Sequence, residues 1–177
     1  MTDGYGRKIE YLRMSVTDAC NLKCVYCMPP DGMKECPCRQ AMSGDEFVEI
    51  ARAAAGLGMK KLRITGGEPL VRGDIVSLVR RLGEIPGIED MSLTTNATLL
   101  APMARELYEA GIHRINISLD TLNAERYEKI TRGGRLSDAL DGIRAAFEVG
   151  MKPVKLNTVL IGGFNDDEIE ELALLTL

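Results

Sequence analysis

Cys20, Cys24 and Cys27 place three thiols within eight residues as C-x3-C-x2-C. Four cysteine thiolates close the ligand shell of an iron–sulfur cluster. Three leave one metal corner open, and an open position separates a metal site that does chemistry from one that only holds a fold together. A zinc site that recruits Cys36 or Cys38 as a fourth ligand is the competing reading, and spacing alone leaves both standing. A disulfide framework fits poorly. Five cysteines is an odd number, and Met1 to Arg13 contains no apolar signal-peptide core, so the chain reads as cytoplasmic and reduced.

The elements that must position these thiols follow from hydrophobic periodicity. A strand is expected at Tyr11 to Val16, then a polar loop from Pro29 to Gln40. A helix opens at Ser43 with Glu46 completing a capping box, runs to about Leu57 and stops at Gly58. Further strands are expected at Lys61 to Thr65, Met91 to Thr95, Arg114 to Leu119 and Val154 to Ile161. Helices are expected at Asp74 to Leu82, Pro102 to Ala110, Ala124 to Ile130 and Ser137 to Val149, with a last one opening at Asp166. Alternating strands and helices imply parallel strands joined by right-handed crossovers.

Each strand splits by parity. Leu62 and Ile64 oppose Arg63 and Thr65, Met91 and Leu93 oppose Ser92 and Thr94, and Ile115 and Ile117 oppose Asn116 and Ser118. The first and fifth strands do the same with Arg13 and Ser15, and with Lys155 and Asn157. Side chains alternate faces along a strand, so every strand offers one apolar face to helices and one polar face to something else. A partial (β/α) TIM-like barrel with a polar lumen satisfies this pattern, and its active site belongs at the C-terminal ends of the strands. The cysteine loop, Gly66-Gly67-Glu68-Pro69, Thr94-Thr95-Asn96 and Ser118-Leu119-Asp120 all fall at that rim.

Glu68 is placed to accept hydrogen bonds from an ammonium group. Arg13, Arg63 and Lys155 share the inward parity, with Asp120 as the acid expected there, so an anionic ligand such as phosphate is expected. A net charge of −4 argues against a general nucleic-acid surface, no apolar run approaches a membrane span, and the single histidine, His113, reads as a capping or surface residue. At 45% hydrophobic and 27% charged over 177 residues, the composition is that of one globular domain, residues 1–177.

Cys20-x3-Cys24-x-Tyr26-Cys27 followed by Gly66-Gly67-Glu68-Pro69 resembles the radical S-adenosylmethionine (SAM) superfamily. The flanks Leu12 to Asp18, Arg63 to Arg72, Thr94-Thr95-Asn96, Asn116 to Asp120 and Lys155 to Val159 resemble its GTP 3',8-cyclase family, the lyases that open molybdenum cofactor (molybdopterin) biosynthesis. The resemblance implies a [4Fe-4S] cluster on Cys20, Cys24 and Cys27, whose remaining iron takes SAM. It implies SAM contacts from Tyr26, Gly67 and Ser118, and GTP contacts from Arg13, Arg63, Thr94 and Lys155. No side chain is given a direct catalytic role, because the radical arises at cluster-bound SAM. GTP is the implied substrate and an electron donor the implied partner; dimerisation is left open.

Three departures stand out. Ala19 replaces an arginine usual in the family, Ala97 replaces a glycine, and the loop from Pro30 to Met42 is short and carries Cys36 and Cys38. Family members are longer and use three further cysteines for a second cluster, whereas no cysteine follows Cys38. The expectation is therefore a radical SAM core truncated after about five strands, which binds cluster and SAM and cyclises GTP weakly or not at all. Two alternatives remain: another radical SAM enzyme such as a peptide maturase, and a non-catalytic zinc-stabilised binding module.

Overall fold

A computed structural model of the chain describes residues 2–29 and 42–175. Cys36, Cys38 and the loop expected around them lie outside the described residues. Five strands, β1 (Tyr11–Ser15), β2 (Lys61–Thr65), β3 (Asp90–Thr95), β4 (Arg114–Ser118) and β5 (Val154–Asn157), alternate with helices. The helices are α1 (Gly44–Gly56), α2 (Ile75–Gly83), α3 (Ala104–Glu109), α4 (Ala124–Thr131), α5 (Leu136–Glu148) and α6 (Ile169–Leu174). Among the described residues no helix is long and apolar enough to cross a membrane.

The strands pair in the order β1-β2-β3-β4-β5, all parallel. An open doubly wound sheet needs a point where strand order reverses, and this sheet has none. Winding in one direction with right-handed crossovers puts the helices on one face, the arrangement of a barrel wall. The apolar parity faces those helices. Leu62, Ile64, Leu93, Ile115 and Ile117 are buried against Val48 and Ala51 of α1, Ile75, Leu78, Val79 and Leu82 of α2, and Leu107 of α3. Each such side chain contributes about 1.5–3 kcal/mol on burial, so this one-sided core fixes which parity looks the other way. A smaller cluster of Leu119, Tyr127, Leu136 and Ala139 seats α4 and α5 at the rim.

Local signals hold at most boundaries. Ser43 and Glu46 form both bonds of the capping box, and Gly58 takes φ +89° just beyond α1. Several ends shift by one or two residues, and two shifts have consequences for the polar face and the rim. β3 starts at Asp90, one residue earlier than expected. β5 ends at Asn157 instead of Ile161, because the chain turns back on β4: Thr158 Oγ1 donates to Leu119 O (2.7 Å) and Val159 N to Asp120 Oδ1 (2.8 Å). At the final helix, Asp166–Glu168 form a 3-10 turn before α6 begins.

Candidate active site

The cysteine loop leaves β1 at the C-terminal rim and is fastened to each neighbouring exit. Gly67 N donates to Thr17 O (2.7 Å) and Glu68 N to Ala19 O (2.8 Å), tying its stem to the loop after β2. At the β3 exit, Asn96 Nδ2 donates to Asn21 Oδ1 (3.0 Å) and Asn21 Nδ2 to Thr98 Oγ1 (2.8 Å). At the β4 exit the Tyr26 hydroxyl donates to Asp120 Oδ2 (2.5 Å). Val25 N and Lys23 N donate to the carbonyls of Ile130 and Thr131 at the end of α4, and Arg132 Nη1 donates to Met28 O (2.9 Å).

The glycines are needed for this closeness. A Cβ on Gly67 would stand 2.4 Å from Ala19 O and 2.7 Å from Asp18 O, and one on Gly66 would stand 2.6 Å from Thr17 O. The cysteine stem therefore lies directly on bare backbone. Ala97 holds φ +63°, a conformation that costs an L-residue roughly 1–2 kcal/mol. Its carbonyl is covered by α5, where a Cβ on Gly142 would lie 2.2 Å away.

Glu68 has a structural role that its local sequence does not announce. It is 1% exposed, and its carboxylate accepts from Leu70 N (3.0 Å), Thr95 Oγ1 (2.7 Å) and Asn96 N (2.7 Å). Three internal donors make it a brace between the β2 and β3 exits and leave one of its roughly four acceptor sites open. Burial pushes its carboxyl above the ordinary value, against the lowering effect of those donors.

Cys20 and Cys24 are half-buried and Cys27 is exposed. Burial, with the negative charges of Cys27, Cys20 and Asp120, raises the Cys24 thiol to about 11; Cys20 is likewise raised, burial leading. Leu22 N donates to Cys20 Sγ at 3.4 Å. Among the described residues no three Cys, His, Asp or Glu side chains form a ready-made ion cradle. The thiols are gathered on one loop and feel each other's charge without being closed around a centre.

The polar parity forms the other face of the sheet. Arg63 and Lys155 line one cleft of about 30 Å³ together with Ser92, Arg114 and Asn116. Arg13 sits beside Arg63 in register, exposed, its Nη2 3.4 Å from Thr65 Oγ1. Thr94 is half-buried beside Asn116, and Ser118 is half-buried at the end of β4 beside Asn157. Tyr26 is 45% exposed at the rim above them.

Asp120 is not the only acid at this parity. Because β3 starts at Asp90, that carboxylate joins Ser92 and Thr94 on the polar face and pairs with Arg114, which shares the parity of Asn116 and Ser118. Both were missed in sequence, although counting two residues back from Asn116 finds Arg114. His113 is exposed, its ring edge-on to Tyr108 at 4.7 Å, as expected of a surface residue.

A profile of the Radical SAM superfamily matches residues 14–176. The chain is 56% identical over 177 residues to the GTP 3',8-cyclase of Peptoclostridium acidaminophilum, covering 100% of this chain and 54% of that protein. It is 56% identical over 176 residues to that of Listeria monocytogenes, covering 99% and 53%. The chain thus spans about half the length of the curated relatives it matches. Among solved structures, Streptococcus suis SuiB bound to S-adenosylmethionine superposes with a TM-score of 0.76 at 25% identity over 93% of this chain and 37% of that one. Methylornithine synthase superposes with a TM-score of 0.71 at 20% identity over 96% and 50%, a likeness of fold.

Proposed function

The chain belongs to the radical SAM superfamily, and from that premise we propose that it carries the SAM-binding and triphosphate-binding parts of a GTP 3',8-cyclase. The observation that carries this reading is the placement of Arg13, Arg63 and Lys155 on the one sheet face that the helices leave uncovered, in a barrel wall whose rim bears the cysteine loop.

The donor set fits the family's cluster. Three soft thiols on one loop, fixed at β2, β3, β4 and α4, suit iron–sulfur ligation and leave a position for a further ligand. In this reading Cys20, Cys24 and Cys27 hold a [4Fe-4S] cluster, and Tyr26, Gly67 and Ser118 contact SAM. Held by Cys20, Cys24 and Cys27, such a cluster would supply one-electron reductive chemistry toward SAM.

The chain's own residues position and exclude. Arg13, Arg63 and Lys155 neutralise the triphosphate, and bidentate guanidinium contacts fix its direction. Thr94, half-buried next to Asn116, adds a hydroxyl contact to GTP. Glu68 and Asn96 hold the G-G-E-P turn and the T-T-N turn against the cysteine loop, keeping the SAM site at constant distance from the polar face. Tyr26 keeps its proton, because burial and the Asp120 carboxylate both raise its pKa, so it acts as a donor.

The test is anaerobic reconstitution of the chain with iron and sulfide, followed by SAM and GTP binding and 5'-deoxyadenosine formation with dithionite. About four irons per chain are expected. An Arg63→Ala/Lys155→Ala variant should keep SAM cleavage and lose GTP binding at least tenfold. Zinc without iron would end the radical reading in favour of a binding module. SAM cleavage with GTP binding indifferent to both cations would favour a peptide-modifying enzyme, the reading supported by the likeness to SuiB, which has been solved with a precursor peptide.

A further inference from the structure

The strand register lines up a row of side chains across the polar face. Arg13 stands beside Arg63, Arg63 beside Ser92, and Ser92 beside Arg114. Neighbouring strands lie about 4.8 Å apart, so three guanidinium groups and a hydroxyl share one narrow band. Asp90, paired with Arg114, is the carboxylate that joins them. Arg63 also lies over the Tyr11 ring at 5.4 Å, which fixes its plane.

Among the described residues, five buried side-chain polar atoms lack a hydrogen-bond partner, and three of these are Arg63 Nε, Ser92 Oγ and Arg114 Nε, all from residues lining the same cleft. A buried polar group left unpaired is costly, and three in one cleft of a well-packed sheet is a concentrated cost. Arginine nitrogens only donate. The group that satisfies them must therefore accept at least two hydrogen bonds, which excludes cations and amines and leaves water or the oxygens of an anion. The cleft, at about 30 Å³, holds about two water-sized atoms, the size of one end of an oxyanion whose remainder lies outside it. It fits the end of a longer anion.

We propose that Ser92 and Arg114, together with Arg63 Nε, form an end subsite that takes the terminal oxygens of a triphosphate, so that this face measures phosphate length. The proposal rests on reading the polar face as the triphosphate site, and adds Ser92 and Arg114 as residues that set specificity for three phosphates over two. Arg114 reaches the subsite with its Nε while its Nη2 stays on Asp90, so the ion pair aims the guanidinium as well as balancing it.

The experiment is calorimetric titration of the chain with inorganic tripolyphosphate, pyrophosphate and GTP, on wild type, Ser92→Ala and Arg114→Gln, with Tm recorded for each. Ser92→Ala removes an unpaired buried hydroxyl, so a purely structural serine predicts equal or higher Tm and unchanged binding. The subsite predicts equal or higher Tm, roughly tenfold weaker tripolyphosphate binding and pyrophosphate binding within about twofold of wild type. Arg114→Gln should show the same selectivity; if it fails to fold without its Asp90 pair, Ser92→Ala decides. Unchanged tripolyphosphate binding, equal loss of both anions, or no binding of tripolyphosphate by wild type overturns the proposal. Ser92-dependent tripolyphosphate binding without GTP binding would overturn the cyclase reading and leave the subsite standing. GTP binding indifferent to Ser92 would do the reverse.

Discussion

Replacing Gly67 by alanine should separate the cysteine loop from the sheet. The added Cβ would meet Ala19 O at 2.4 Å, Asp18 O at 2.7 Å and the Ala19 carbonyl carbon at 2.8 Å. All three are backbone atoms, so no side chain can swing aside, and relief to ordinary contact requires a shift of about 1 Å. That shift stretches two backbone bonds, Gly67 N to Thr17 O and Glu68 N to Ala19 O, each worth about 1 kcal/mol. Overpacking adds about 1–3 kcal/mol, for a total near 4 kcal/mol. For a chain of this size each kcal/mol moves Tm by about 2–4 °C, so a fall of roughly 10 °C is expected. The assay is thermal unfolding followed by circular dichroism, beside Gly162→Ala, whose Cβ meets nothing within 4 Å and which should stay within about 2 °C of wild type. A Gly67→Ala protein that melts with the control would refute the close approach, and with it the reasoning that the loop is held by bare backbone.

Tyr26→Phe removes the donor to Asp120 Oδ2 and should cost about 1–2 kcal/mol, read from urea midpoints, with little loss of iron on reconstitution. Asn165, fully buried, donates to Asp120 O (2.6 Å) and Val159 O (2.9 Å) and accepts from Ile161 N (2.7 Å). Asn165→Ala should therefore cost about 3 kcal/mol by the same measurement, and a cost below about 1 kcal/mol would show that this network is slack. At Glu168, burial acts to raise the carboxyl, but bonds from Thr121, Leu122 and Arg126 together outweigh it and hold it below 4.5. A carboxyl lowered in the folded state adds stability that is present above its unfolded value and lost as pH falls through the folded one. Urea midpoints measured between about pH 3 and 6 should thus fall less steeply for Glu168→Gln than for wild type.

The parity of the strands was readable from sequence because its period of two depends only on backbone pleating, and one helix-covered face forces the apolar set to it. Arg63 and Lys155 were found this way and line the same cleft. Asp90 was not, since a strand boundary misplaced by one residue hides the first side chain of the ladder. The bracing role of Glu68 was missed for a different reason. Its donors Thr95 and Asn96 lie 27 and 28 residues away, and nothing local distinguishes a carboxylate with three internal donors from one awaiting a ligand. The bond from Tyr26 to Asp120 spans 94 residues and belongs to tertiary structure altogether. Ala97 lies between these cases: its departure from the family pattern was visible, and its left-handed backbone supplies the physical cost.

The strictly sequential strand order also sets an assembly schedule. Each strand pairs with the one made just before it, so the sheet can grow one unit at a time as the chain is synthesised from its N-terminus. The cysteine loop precedes these partners in the chain and is fastened to β2 through Gly67, to β3 through Asn96, and to β4 through Asp120. Asp120 is itself held by Val159 and Asn165, from beyond β5. The geometry of the thiol loop is thus set by segments spread from Gly67 to Asp120, so the loop takes its final form only once the sheet is built through β4 and Asp120 is anchored from beyond β5.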